Sequence, residues 1–211
     1  MKIKQYMSTD LITVTPETGV SAAVSKMEEH KIHNLPVVKD GKYVGIITQD
    51  IIDAKSASDA TSLSVYELNY ILSKANVAEF MDAKAPTATT DWMVEEAAEF
   101  MRTNDLRVLP IVDGNQNVTG IITYKDIFKA LIDLSGYLAG DSESRFVVKI
   151  SEDRIGVISE LTKTLADAGI SVSHIFVNDT DGIEITIQVH GGQGERAKVV
   201  LSEAGYTVVD L

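Results

Sequence analysis

Apolar residues fall at helical spacing twice in the first half of the chain, at a constant offset. Val20, Ala23, Val24 and Met27 follow the i, i+3, i+4, i+7 spacing of one helix face, and Val94, Ala97, Ala98 and Met101 repeat it 74 residues later. The segment Met7 to Val14 returns at the same offset as Met81 to Ala88. Downstream, Leu35-Pro36-Val37-Val38 answers Leu109-Pro110-Ile111-Val112, and Gly45-Ile46-Ile47-Thr48 answers Gly120-Ile121-Ile122-Thr123, now one residue later. The extra residue falls where Asp40-Gly41-Lys42 has become the longer run Asp113 to Asn117, and insertions belong in surface turns. Each copy predicts a short strand, helix, strand, Asp-Gly hairpin, strand and helix. The nearly all-apolar strands are those expected where both faces are covered. A unit of about 50 residues buries little surface and is marginal alone. Two copies packed face to face resolve this and leave two related clefts along a pseudo-twofold seam.

Between the copies, Ser56 to Ser62 is polar and predicts a loose segment, while Val65, Leu68 and Leu72 share one face of a docking helix. After Ser135-Gly136 and the polar run Gly140 to Ser144, the pattern changes. Phe146, Val148 and Ile150 alternate along a strand; Ile158, Leu161 and Leu165 mark a helix ending at Gly169. Two strands follow, Val172 to Val177 and Ile183 to Val189, around a loop at Asn178–Gly182. The second alternates strictly, which predicts one buried and one polar sheet face. A helix face of Ala197, Val200, Leu201 and Ala204 and a last strand, Tyr206–Val209, complete a ferredoxin-like βαββαβ order. The fold class is thus α/β (α+β). Its predicted parts are repeat 1 at 1–55, a connector at 56–76, repeat 2 at 77–134, a linker at 135–144 and a second domain at 145–211.

Composition narrows the functions. Of 211 residues 45% are hydrophobic and 24% charged, which suits globular domains. The net charge of −12 and the lack of a basic cluster argue against nucleic acid and anionic membrane surfaces as partners. With no cysteine, disulfides, thiolate nucleophiles and cysteine–zinc sites are excluded. The polar N-terminus and the absence of a long apolar run predict a cytoplasmic protein. There is no Ser/His/Asp set at a nucleophile turn, no His-x-x-x-His and no Walker motif, so no enzyme is expected and no metal site; Gly191 to Gly194 lacks the lysine of a phosphate loop and reads as a turn. His30 and His33 lie three apart without a supporting carboxylate pattern.

The repeat, with its Leu-Pro-Val-Val and Gly-Ile-Ile-Thr strands, resembles the CBS domain, and the tandem resembles a Bateman module. That resemblance implies a regulatory, non-catalytic sensor binding AMP, ADP or ATP, with S-adenosylmethionine and cyclic di-AMP as further candidates. It also implies a site residue pair, Thr123 and Asp126, reading ribose and phosphate. The same spacing reads equally as a capping box at a helix start. Repeat 1 has Ile51 where repeat 2 has Asp126, and its acid, Asp50, stands one place early; one residue turns a helical side chain by about 100°, so Asp50 is not a simple substitute. The resemblance further places Pro86, Thr87 and Ala88 along the adenine edge and Ile121 and Ile122 as an apolar wall. His33 and Arg107 stand at corresponding positions as basic residues for phosphate, or as ordinary solvated residues at helix ends.

Residues 153 to 158, with Gly156 at the strand–helix junction, resemble the ACT domain. An amino acid approaching backbone amides at that glycine is implied, beside the plainer reading of Gly156 as a tight-turn residue. Both domain types imply a homodimer, and the order CBS–CBS–ACT resembles the AcuB-like acetoin-utilisation proteins. Alternatives to a nucleotide sensor are an amino-acid sensor and a purely structural, dimeric interaction protein with unoccupied clefts.

Overall fold

A computed structural model describes residues 1–59, 74–137, 144–152, 154–179 and 182–210. The chain divides into two compact units, Met1–Ala130 and Leu131–Leu211.

In the first unit, repeat 1 forms α1 (Val20–His30), the antiparallel pair β1 (Asn34–Lys39) and β2 (Lys42–Thr48), and α2 (Gln49–Asp59). Repeat 2 forms α3 (Val77–Phe80), α4 (Val94–Thr103), the pair β3 (Val108–Val112) and β4 (Val118–Thr123), and α5 (Tyr124–Ser135). Val20, Ala23 and Met27 of α1 and Val94, Ala97 and Met101 of α4 are buried, as their spacing predicts, whereas Val24 and Ala98 sit at the margins. The expected first strand of each copy is reduced to single parallel bridges, Val14 with Val37 and Ala88 with Ile111. Helix α2 runs to Asp59, into the stretch from Ser56 expected to be loose, because no glycine or proline interrupts it there. The connector helix expected over Val65–Leu72 lies outside the described residues.

The Asp40-Gly41 turn has positive φ at both residues, 51° and 79°, which is what a two-residue hairpin turn requires. The longer second turn is organised by Asp113, whose Oδ1 accepts the N–H groups of Asn115 and Asn117, both at 2.8 Å. Its extra residue has a further use. The Gln116 carbonyl accepts the Tyr43 N–H at 2.8 Å, and Lys42 Nζ donates to Asn117 Oδ1 at 3.1 Å and to the Asn115 carbonyl. The closed ends of the two hairpins are therefore clasped together.

Each repeat lends its leading segment to the other. Ile3, in a 3-10 turn at Ile3–Gln5, is buried with Val94, Leu109, Ile111 and Ile122 of repeat 2. Ala75, Val77 and Phe80 are buried with Val20, Leu35, Val37 and Ile47 of repeat 1. Hydrogen bonds mirror the exchange: Ser8 and Ile121 trade two backbone bonds at 2.9 and 3.0 Å, and Asp82 and Ile46 trade two at 2.8 and 3.1 Å. The glycine before each isoleucine makes this possible. A Cβ on Gly45 would lie 2.7 Å from the Asp82 carbonyl oxygen, and one on Gly120 would lie 2.5 Å from Met7 Sδ.

In the second unit, β5 (Ser144–Ile150), α6 (Val157–Asp167), β6 (Val172–Asn178), β7 (Ile183–Val189), α7 (Gly194–Glu203) and β8 (Thr207–Asp210) follow in the expected order. The strands form an antiparallel sheet in the order β6-β7-β5-β8. Phe146, Val148, Ile185, Ile187 and Val189 meet Leu161, Leu165, Ala197 and Leu201 from the two helices. Two sequence expectations need correction. Val157, not Ile158, completes the buried face of α6, since 157, 161 and 165 lie on one line while Ile158 is 45% exposed. The second sheet face is not uniformly solvated, because Gln188 is buried and donates from Nε2 to the Gly136 carbonyl at 2.9 Å.

Candidate functional site

The strands of each hairpin run from the clasped turn to an open end, where strand meets helix. There, Lys31 leaves α1 in a left-handed conformation, φ 53°, and turns the chain through His33 into β1. The His33 carbonyl accepts the Gln49 N–H at 2.9 Å, and the Arg107 carbonyl accepts the Tyr124 N–H at 3.2 Å. Each equivalent pair ties a strand entrance to a helix start. Between the two open ends lies a cleft of about 440 Å³, lined by residues 31–34, 49, 50, 107 and 123–125. Both α2 and α5 begin at its wall, so the positive ends of two helix dipoles border one space. Lys31, Arg107 and Lys125 also line it, with His33, against a single carboxylate, Asp50. In a chain of net charge −12 this local excess of positive charge suits an anion.

The two helix starts differ. In repeat 2, Asp126 Oδ2 accepts the Thr123 N–H at 2.7 Å and the Thr123 hydroxyl at 2.8 Å. Half of the capping-box geometry is therefore realised, and the Thr123 proton is committed to the acid. Asp126 is half-buried, and its Oδ1 takes no partner among the described residues. In repeat 1, the Thr48 hydroxyl oxygen accepts the Ile51 N–H at 3.2 Å, the ordinary N-cap bond. Asp50 does not cap Thr48. It reaches across to repeat 2, where Oδ2 meets Arg107 Nη1 at 3.1 Å.

The structure thus brings His33, Arg107 and Thr123 to one cleft, with Asp126 three residues beyond Thr123. It does not bring the other sequence-predicted residues to that wall. Ile122 is fully buried in the repeat 2 core, as is Ala88 at 2% exposure, because both face the helices of their own repeat. The backbone of Ala88 is engaged too, donating to the Pro110 carbonyl and accepting from Val112, both at 2.9 Å. Ile121 is half-buried and held by Ser8, and Pro86 and Thr87 are half-buried ahead of the bridge. Sequence reasoning missed Lys31, Gln49, Asp50 and Lys125 as lining residues. Proximity to predicted positions is the signal that could have found them, since Lys31 stands two residues before His33, Lys125 two after Thr123, and Gln49 and Asp50 directly follow Thr48, the repeat counterpart of Thr123.

In the second unit a cavity of about 280 Å³ opens at the start of α6, lined by Arg154, Gly156, Ser159, Val177 and Asp179 among others. Gly156 has φ 95°, and a Cβ there would meet only Glu160 Oε1 at 4.0 Å. Conformation rather than crowding requires the glycine. Arg154 Nη1 donates to Glu160 Oε1 at 2.7 Å, and their mutual hydrogen bonds lower the Glu160 pKa and raise that of Arg154. Asp153, the first residue of the sequence motif, lies outside the described residues. Among the described residues no group of three or more His, Asp or Glu is placed to hold a metal, and no helix is long and apolar enough to cross a membrane.

Residues 3–54 and 77–133 match the CBS domain, and residues 146–208 match the ACT domain. The chain is similar to part of inosine-5'-monophosphate dehydrogenase of Methanocaldococcus jannaschii, 36% identical over 129 residues. That match takes in 61% of this chain and 23% of the relative, so the chain spans about a quarter of the dehydrogenase. CBS domain-containing protein YhcV of Bacillus subtilis is 27% identical over 140 residues, which cover 66% of this chain and 91% of YhcV. Among solved structures, the CBS domain pair of protein MJ0100, in complex with 5'-methylthioadenosine and S-adenosyl-L-methionine, superposes with a TM-score of 0.53 at 28% identity. It covers 62% of this chain and 99% of that pair. A Vibrio cholerae structure described as an acetoin utilization protein (AcuB) shares the fold, with a TM-score of 0.54 at 22% identity, covering 67% of this chain and 98% of that one.

Proposed function

Because this chain belongs to the CBS-domain family and carries a C-terminal ACT domain, we propose that it is a non-catalytic regulatory sensor whose CBS pair binds an adenine nucleotide or related adenosyl ligand. The observation that carries this reading is the cleft between the repeats, where Lys31, Arg107 and Lys125 surround two helix starts. Phosphate belongs beside those bases. Thr123 lines the same cleft, and the unpartnered Oδ1 of Asp126 lies within one turn, suited to accept from ribose hydroxyls. Support comes from the MJ0100 domain pair, which holds two adenosyl compounds on the same fold. AMP, ADP and ATP fit the basic lining better than the uncharged or cationic adenosyl compounds do. The sensor acts as a homodimer in the cytoplasm and passes its ligand state to a partner protein.

A thermal-shift panel of AMP, ADP, ATP, S-adenosylmethionine and cyclic di-AMP tests this. A ligand at 100 times its dissociation constant adds about 2.7 kcal/mol to the unit that binds it, a rise of several degrees for a chain of this size. Asp126→Ala should abolish the rise. No shift in the wild type, or an equal shift in the variant, refutes the reading. The cavity at Gly156 supports a second site, for an amino acid whose carboxylate meets the α6 amides. Single amino acids in the same panel should then raise the melting of the second unit, and Gly156→Leu should remove that rise.

A further inference from the structure

The basic cleft has two unequal halves. The repeat offset makes Asp50 the counterpart of Lys125, and His33 the counterpart of Arg107. The contact between Asp50 and Arg107 therefore has, as its symmetry mate, the position of Lys125 and His33. One half holds an acid against a base, at 3.1 Å; the other holds two bases. The Asp50 carboxylate already occupies Arg107 as an incoming phosphate would, through a charge-assisted hydrogen bond. Both side chains of the pair are largely exposed, at 66% and 72%. An exposed pair of this kind is weak enough to open at little cost. By contrast, the turn ends of the same hairpins are joined by the Tyr43–Gln116 and Lys42–Asn117 hydrogen bonds.

We propose that Asp50 is an internal competitor for Arg107, a tethered anion that an incoming phosphate must displace before it gains the guanidinium. Asp50 then sets the specificity of the cleft. A ligand with one anionic group is held by Lys31, His33 and Lys125 alone. A ligand with a second anionic group gains Arg107 and breaks the only ion pair described between the open ends of the two repeats. The acid that stands one place early in repeat 1, before Ile51, thus acquires a use of its own. The inference rests on the cleft being a ligand site, but not on that ligand containing adenine.

Titration calorimetry on the full chain separates the two claims. The probes are inorganic pyrophosphate, AMP and adenosine, against wild type, Asp50→Ala, Arg107→Gln and the double variant. Asp50→Ala should tighten pyrophosphate and AMP by about two- to fivefold, the range an exposed ion pair allows, and leave adenosine unchanged. In the Arg107→Gln background the same substitution should give no gain. A gain that persists without Arg107 means general charge rather than competition, and overturns the proposal; so does no gain in the single variant. If AMP fails to bind while pyrophosphate shows the Arg107-dependent gain, the adenine reading falls and the competitor stands. If no probe binds any variant, both fall.

Discussion

Repeat 1 and repeat 2 share a pattern of apolar residues closely enough to share a fold, yet they differ where strand passes into helix. Thr48 caps α2 with its own oxygen, and its neighbouring acid turns away to Arg107. Thr123 is capped instead by Asp126, and its neighbour at the same turn is a lysine, Lys125. The hairpins differ too: one turn is a bare two-residue reversal, the other a longer loop knotted by Asp113 that grips the first. Duplicated cores tolerate little change because every apolar position has a packing partner. Exposed junctions and turns are free to diverge, and the charges that line the cleft lie there.

The largest test of this comparison lies in the paired glycines. Gly45→Ala forces a Cβ against backbone, the Asp82 carbonyl, while Gly120→Ala meets only the thioether of Met7, which can swing aside. Gly45→Ala should destabilise the first unit by about 2–3 kcal/mol and Gly120→Ala by less than about 1 kcal/mol, read by chemical denaturation. Equal losses would show the two exchanged segments to be equally rigid. A smaller effect separates the caps. Thr48→Ala should cost about 1 kcal/mol, the value of an N-cap side chain. Thr123→Ala should cost only a few tenths, because Asp126 still accepts the residue 123 N–H. The reverse ranking would make the Thr123 hydroxyl, and not Asp126, the group that holds α5.

The smallest effect concerns acid. Hydrogen bonds from the Asn117 side chain, then from its backbone N–H, hold the Asp113 carboxyl below its ordinary pKa. A group with its folded pKa lowered stabilises fully above the unfolded value and ceases to as pH falls through the folded one. The second turn should therefore loosen on acidification below about pH 4 while the Asp40-Gly41 turn does not. Faster amide exchange at Asn115 and Asn117, corrected for the intrinsic pH dependence and compared with Gly41, would register it. Unchanged protection would mean that the clasp to repeat 1, and not Asp113, holds the loop.

Much of this was legible in the sequence because it rests on periodicity. The faces of α1 and α4, the apolar strands, the Asp-Gly turn and the βαββαβ order all follow from spacing and turn chemistry. The departures have physical causes. Ile158 is apolar and falls at helical spacing from Leu161 and Leu165, but the buried α6 face is set by Val157, one residue earlier. Ile122 in β4 and Ala88 in a segment held by a single bridge could each face either a cleft or a helix, and sequence alternation alone does not say which. The contact of Asp50 with Arg107 spans 57 residues of chain and depends on how the two copies pack. No local rule reaches that far, although the symmetry of the repeat does point to the position.

The exchange of leading segments also sets the order in which the chain can fold. The core that holds Val20, Leu35 and Ile47 is incomplete until Phe80 has been added. Ile3 finds its partners only when Leu109, Ile111 and Ile122 exist, more than a hundred residues further on. Each core therefore draws on residues from both copies, which ties the folding of one copy to the presence of part of the other. Contacts this distant in sequence slow folding, because a long loop must close before they form. A fragment cut at the apparent boundary between the copies would keep one leading segment with the wrong core, and two such fragments would complete each other by pairing.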